Sequence, residues 1–345
     1  MLDKGPATMK AARYHDRHDI RVEEVSEPSP APKRVLVEIE WCGICGSDLH
    51  EYLSGMLSSQ LCMTCLILLG PHTIRKPGNP HPITGDTLPS ILGHEFCGRV
   101  KSAPENSHFR PGQAVMVDPR LNCGSCRQCS TGADHSCPNF GFLGYNGGGG
   151  GGFSEVVGVE ERMLYALPEN VSLDFAAVIE PLAVAEHAIK LTAVKEWNKQ
   201  SVLILGGGPV GFATIVMLRA HGVKRVIVSE PTSIRREQTA KIADVVLDPR
   251  TDNVGQRCRS MTDDQGVDVV FDCAGIAKAL EAGMEAIRFE GTYINIALWE
   301  HPVTVPLFPW FTKEVVIKPS MCYNDSDFRD VIQMMAEGML VHLVC

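Results

Sequence analysis

Three things are scarce in this 345-residue chain. No apolar run approaches the roughly 20 residues that a membrane span needs; the longest, LCMTCLILLG at Leu61–Gly70, is half of that. The opening stretch, MLDKGPATMKAARYHDRHDI, holds neither an apolar leader core nor a cleavage site, so secretion is not expected. Positive charge is also short. Lys and Arg total 32 against 41 Asp and Glu, a formal charge of −9, which argues against nucleic acid or an anionic membrane as partner. Cysteine, by contrast, is plentiful at 13 residues. In the reducing cytoplasm that these absences imply, so many thiols cannot be a disulfide framework, and clustered ones favour metal.

What is present reads as globular: 44% hydrophobic and 21% charged residues, in a chain long enough for two domains. Its densest cysteine cluster is NCGSCRQCSTGADHSCP, which carries Cys123, Cys126, Cys129 and Cys137. The spacing C-x2-C-x2-C-x7-C offers four soft thiolates, the set that structural Zn²⁺ takes tetrahedrally with no position left open. Gly124 and Gly132 let the backbone close around a small ion. An iron–sulfur cluster is the alternative on ligand count, although nothing else in the chain suggests electron transfer.

A second constellation mixes hard and soft donors. VLVEIEWCGICGSDLHEY begins as an alternating strand through Val35, Val37 and Ile39, then breaks at Gly43 and Gly46 into an expected loop bearing Cys45, Ser47, Asp48 and His50. LPSILGHEFCGRV supplies His94 and Glu95, and AAVIEPLAVAEHA supplies Glu180 beside Pro181. One Cys, one His and one or two carboxylates suit a catalytic Zn²⁺ that keeps a position for substrate. Singly, each has a structural alternative; their weight lies in occurring together.

The third signal is SVLILGGGPVGFATIVMLRAHGVKRVIVSEP. A strand at Val202–Leu205, a glycine turn, a helix and a strand at Arg225–Ser229 form a βαβ unit in which Gly206, Gly208 and Gly211 fit G-x-G-x-x-G, with Pro209 and Val210 between. The glycines allow the tight turn, the approach of a pyrophosphate and helix–strand packing, and the helix N-terminus offers amide N–H groups. Glu230, at the tip of the second strand, is placed for ribose hydroxyls and repels a 2′-phosphate, so NAD is expected over NADP; the nearby Arg235 and Arg236 temper that preference. ADVVLD, VDVVFDCAG, YINIAL and EVVIK supply about four more strands, enough for a doubly wound parallel sheet. Two further features invite overreading. The run Gly147–Gly152 reads as a flexible hairpin or loop rather than a phosphate cradle, and Cys62 with Cys65 lacks the context of a redox pair.

CGICGSDLHEY, HPITGDTLPSILGHE, the four-cysteine lobe, EPLAVAEHA, LILGGGPVG and VVFDCAG together resemble the zinc-containing medium-chain dehydrogenases/reductases, of the polyol branch and nearest the fungal-type (R,R)-2,3-butanediol dehydrogenases. The resemblance implies a GroES-like, mainly β catalytic domain (1–184), a Rossmann coenzyme domain (185–320) and, at 321–345, the start of a return to the catalytic domain, with the active site in the cleft between domains. Carried over by position, Cys45, His94 and Glu180 match catalytic-zinc ligands, Glu95 an alternating or water-linked one, and Ser47 and His50 a proton relay. The four cysteines match the structural zinc lobe. The implied reaction passes a hydride between NAD(H) and a secondary alcohol or ketone while the proton leaves through Ser47 and the ribose to His50, a residue type that ordinarily titrates near neutral pH. A homo-oligomer, dimer or tetramer, with a small-molecule substrate is expected.

Three readings of function follow. The first is oxidation of a vicinal diol or acyloin such as 2,3-butanediol/acetoin. The second changes the substrate to sorbitol, xylitol or L-threonine. The third, of another class, is a zinc- and nucleotide-binding chain without turnover. It rests on a segment near 55–75 (MLSSQLCMTCLILLGPHTIR, Met56–Arg75) that reads as added between the two ligand-bearing stretches, and on an early C-terminus.

Overall fold

The computed structural model describes residues 7–54, 85, 87–145, 150–299 and 302–340. The segment near 55–75, the Cys62/Cys65 pair, Gly147–Gly149 and the last five residues lie outside this range. The chain divides into two compact units, Met1–Glu180 and Pro181–Cys345.

The first unit is built of antiparallel sheet. Strands β1 (Thr8–Asp16), β2 (Asp19–Ser26), β3 (Arg34–Gly43), β4 (Ser90–Ile91), β5 (Glu95–Ser102), β6 (Ala114–Val117), β7 (Arg120–Leu121), β8 (Gly141–Phe142), β9 (Val156–Glu160) and β10 (Leu164–Ala166) form three sheets, ordered β2-β1-β4, β10-β6-β5-β3-β9 and β7-β8. Val35 and Val37 of β3 enter a core with Phe96, Val100, Val115, Val117, Val157 and Val159. The alternation read from sequence describes only that face. Leu36 on the other face is buried as well, against Met9 and Val156, because the three-stranded sheet covers it.

Beyond β3 the expected loop is instead a helix, α1 (Gly46–Ser54). Asp48 explains the difference: its Oδ2 accepts the Cys45 N–H at 3.0 Å. That bond satisfies a donor which a helix N-terminus leaves orphaned, and it puts negative charge at the positive end of the helix dipole.

The last two residues of the glycine run also depart from expectation. A Cβ on Gly151 would lie 2.5 Å from the carbonyls of Ile91 and Leu92, and one on Gly152 would lie 2.3 Å from Cys42 Sγ. The Gly152 N–H donates to Gly93 O at 2.7 Å. These glycines form a packed seam in which only hydrogen fits, not a free loop.

The second unit holds β11 (Ser201–Leu205), β12 (Arg225–Ser229), β13 (Val245–Leu247), β14 (Val267–Asp272), β15 (Ile287–Asn295) and β16 (Val316–Pro319). They form one parallel sheet ordered β13-β12-β11-β14-β15-β16, the doubly wound order whose direction reverses between β11 and β14. Every residue of β11 is buried, as a strand covered on both faces requires.

Helix α2 (Ile179–Leu191) has its first two residues, Ile179 and Glu180, at the end of the first unit and runs into the second. Within the second unit it is tied to α3 (Asp325–Ala336): His187 Nδ1 lies 2.7 Å from Asp327 Oδ2, and Lys190 Nζ donates to Asp327 Oδ1 at 2.8 Å. Residues 321–345 were expected to begin a return to the first domain; their described part, through α3, groups with the second unit. No helix among the described residues is long and apolar enough to cross a membrane.

Candidate active site

The pairing of β3 with β5 builds the first donor group. Its register ends at Gly43 opposite Glu95, so the turn after β3, carrying Cys45, lies beside the turn before β5, carrying His94. A Cβ on Gly43 would lie 2.2 Å from Glu95 Oε2, so a larger residue there would push the carboxylate out of its place in the group. The ligand atoms of Cys45, His94 and Glu95 all lie within 4.8 Å of one another. Glu180 is buried and its charge acts on Cys45, but it is not a member of that close group among the described residues. Ser47 Oγ lies 3.3 Å from His94 Nε2. His50 follows three residues later on α1, one turn along the same face.

The electrostatics of this group ask for a cation. Burial holds the His94 imidazole down at about 4, so it is neutral. Burial, followed by the charges of Glu95 and Glu180, pushes the Cys45 thiol well up, and burial raises Glu95 too. Beside an imidazole that is already neutral, a thiol and carboxyl groups crowded into low dielectric can shed their protons together only when a metal ion balances the charge. Cys/His/Glu is also a donor set that zinc accepts. The residues fit the group.

Asp48 belongs to the site although the sequence assigns it no role: it is buried, and its Oδ1 stands 3.6 Å from His94 Nδ1, opposite the ring nitrogen that approaches Ser47. Neither of these two atoms has a hydrogen-bond partner among the described residues. A carboxylate behind a ligating imidazole sets its orientation and basicity. The signal was the spacing of three residues from Cys45. Phe142 and Tyr145, whose rings meet the His94 ring edge-on at 5.2 and 5.8 Å, gave none.

The cysteine lobe is a second group. Sγ–Sγ separations are 3.4 Å for Cys126–Cys129, 3.5 Å for Cys123–Cys137, 3.9 Å for Cys126–Cys137 and 4.0 Å for Cys123–Cys129. Four sulfurs at about 2.3 Å from one tetrahedral ion stand about 3.8 Å apart. The lobe therefore has room for one ion and not for a multi-atom iron–sulfur cluster. The N–H groups of Ser125 and Cys126 hold the Cys123 thiol down at about 6, ready to bind as thiolate. Buried Arg120 fastens the lobe to the sheets, gripping Asp118 through Nε and Nη2 and reaching Asp134 Oδ1 with Nη1 at 3.2 Å.

In the second unit the turn from β11 into the helix Pro209–Ala220 is the one expected to cradle a phosphate. Gly206 has φ +94, and a Cβ on Gly211 would lie 1.9 Å from Gly206 O, so the turn needs the first glycine and the packing needs the third. A Cβ on Gly208 would meet nothing nearer than the exposed Arg235 guanidinium at 3.6 Å. Its face is open to a pyrophosphate, with Pro209 and Val210 opening the helix behind it. Glu230 is buried. Its Oε2 accepts the Gly207 N–H and its Oε1 the Thr232 N–H, each at 2.7 Å. Arg236 is engaged elsewhere, on Asp248 and the backbone carbonyls of Glu230 and Pro231.

Comparison with known proteins matches residues 31–169 to the alcohol dehydrogenase GroES-like domain and residues 209–337 to the zinc-binding dehydrogenase family. The (R,R)-butanediol dehydrogenase of Neisseria gonorrhoeae is 33% identical, over 96% of this chain and 89% of that protein. The (R,R)-butanediol dehydrogenase of Bacillus subtilis is 34% identical, with the same coverage. The crystal structure of 2R,3R-butanediol dehydrogenase from Bacillus subtilis superposes with a TM-score of 0.84, covering 96% of this chain and 88% of that one.

Proposed function

Because the chain belongs to the zinc-binding dehydrogenase family, we propose that it is an NAD-dependent alcohol dehydrogenase of vicinal diols and acyloins, interconverting a 2,3-butanediol-like secondary alcohol with its acetoin-like ketone. The observation that carries the reading is the convergence of Cys45, His94 and Glu95 within 4.8 Å. These three would hold the catalytic zinc, with Glu180 nearby as a further carboxylate, and Cys123, Cys126, Cys129 and Cys137 the structural one. When bound, zinc supplies Lewis-acid polarisation of the carbinol oxygen and NAD the hydride acceptor.

The chain's own residues do the rest. Ser47 Oγ, at the edge of the donor group, takes the hydroxyl proton, and His50, one turn on, receives it and releases it to solvent. Asp48 orients the His94 ring. Glu230 uses one lone pair of each oxygen on Gly207 and Thr232. Those bonds hold its carboxylate in place while its remaining lone pairs accept two ribose hydroxyls, and its charge disfavours a 2′-phosphate.

Two coarser features complete the proposal. A zinc site made of four thiolates needs its cysteines reduced, which suits a reducing cytoplasm. We also propose a homo-oligomer. Among the described residues β16 pairs on one side only, with Val316 and Ile317 exposed, and Leu307, Phe308 and Phe311 beside it are 70, 75 and 78% exposed. An apolar sheet edge of this kind is a pairing surface.

The test is NADH formation by zinc-replete protein with 2,3-butanediol stereoisomers, sorbitol, xylitol and L-threonine. A butanediol isomer is expected to exceed the others in kcat/KM by about tenfold or more, since a pocket built for one hydroxyl pattern rejects another. Faster turnover of sorbitol or threonine would transfer the assignment to that substrate. Zinc and NADH binding without turnover of any of them would leave a binding protein.

A further inference from the structure

Asp272 is the last residue of β14, beside β11 where the strand order reverses, and it is fully buried. Its carboxylate is met by donors on every side. Oδ1 accepts the N–H groups of Ala274 and Gly275 at 2.9 and 3.0 Å, and Oδ2 accepts the Tyr293 hydroxyl at 2.8 Å. Its backbone carbonyl accepts the N–H groups of Ile296 and Ala297 at 2.9 and 3.0 Å. One residue thus holds both the loop after β14 (273–276) and the loop after β15 (296–299).

Those loops border the nucleotide cradle. A Cβ on Gly206 would lie 3.3 Å from the Cys273 backbone carbonyl, and the Cys273 N–H donates to Leu205 O at 2.9 Å. The two loops also touch each other, since a Cβ on Gly275 would lie 2.8 Å from Leu298 O. In a doubly wound sheet a dinucleotide lies across the carboxyl ends of the strands at the reversal point. Glu230, after β12, takes the adenosine side. The loops after β14 and β15 stand on the opposite side, where the nicotinamide half must lie.

We propose that Asp272 is a positioning residue for the nicotinamide half of the dinucleotide, acting through the two loops that it fastens. The inference rests on the NAD-binding reading of this unit. A carboxylate suits the post because it is acceptor-only. An amide turns a donor toward either the Tyr293 hydroxyl or the two N–H groups, and alanine leaves both N–H groups without their acceptor.

The experiment compares NADH with ADP-ribose, which shares every part of the dinucleotide except nicotinamide, by titrating the full-length zinc-replete protein. Asp272→Ala is expected to weaken NADH about tenfold, the equivalent of one charge-assisted hydrogen bond, while ADP-ribose changes by less than about twofold. Asp272→Asn should fall between this variant and the wild type. Tyr293→Phe removes a single bond without changing volume; it should weaken NADH about threefold and decides the matter if Asp272→Ala does not fold. Equal weakening of both ligands, or none in folded variants, overturns the inference and leaves the NAD reading standing. A wild-type chain that takes up neither ligand removes the NAD reading itself, and the inference with it.

Discussion

Glu230 accepts the Gly207 N–H at 2.7 Å, joining the tip of β12 to the phosphate turn. Under the proposed function, charge selection and phosphate binding share this one support. Replacing Glu230 by Ser should weaken NADH by about tenfold or more, through lost ribose contacts and a loosened turn. The same variant should bind NADPH better than wild type does, because the exposed Arg235 is free to meet the added phosphate. Fluorescence titration of both nucleotides checks this; a wild-type chain that binds NADPH as tightly as NADH removes the assignment.

The two donor groups predict about two zinc ions per chain by elemental analysis. Cys126→Ser should lose one ion and a large part of the thermal stability, because a structural metal contributes folding energy directly. His94→Ala should lose turnover with little change in melting temperature. A single zinc in the wild type, lost on mutation of Cys126, would leave Cys45, His94 and Glu95 without a metal role.

How far these sites were legible depended on how local their cause was. The glycine turn, Glu230 and the strands of the second unit are written in short apolar runs and fixed spacings, and the cysteine lobe in fifteen consecutive residues. The union of Cys45 with His94 is not local: it comes from the antiparallel register that sets Gly43 opposite Glu95. Only the joint occurrence of the motifs hinted at it. Gly43 and Gly46 read as breaks and so point to a loop, whereas Asp48, three residues after Cys45, caps a helix there. Glycine carries no sign of whether it is free or enclosed, and so the packed end of the 147–152 run was misjudged.

Asp327 predicts acid sensitivity. Burial alone would raise its carboxyl, but hydrogen bonds from His187, Lys190 and the Asn324 N–H outweigh burial and hold it down at about 2, against an ordinary 3.8. The folded value is the lower one, so this group's stabilisation is present above the ordinary value and is lost as pH falls towards about 2. Urea unfolding across that window should show wild-type stability falling, with less of a fall in Asp327→Asn. At neutral pH Asp327→Ala should cost about 2–3 kcal/mol, since both the helix cap and the bonds to His187 and Lys190 go with it. Identical pH slopes for wild type and Asp327→Asn would exclude this residue as the source.

The exposed edge predicts the assembly state. Ile317→Lys, on β16, should turn the oligomer into a monomer by sedimentation velocity, with the circular dichroism spectrum unchanged, because a charge on an edge strand blocks pairing. A wild-type chain that sediments as a monomer would mean that this apolar edge has some other occupant.

The strand order of the second unit also has a consequence for how the protein is made. Ser201, at the start of β11, is held by Asp268 of β14, 67 residues downstream, through both its N–H and its hydroxyl at 2.7 Å. During synthesis β12 and β13 emerge first and can pair on one side of β11, while its other side waits for β14. At about 5–20 residues per second that wait lasts seconds, long compared with the microseconds to milliseconds of local element formation. Throughout it, the strand whose every residue is buried in the finished sheet presents a bare edge. The nascent chain at this stage is the form in which chaperone binding and misassembly with other copies should concentrate, so slowing translation past Leu205 should harm yield more than slowing it past Asp272.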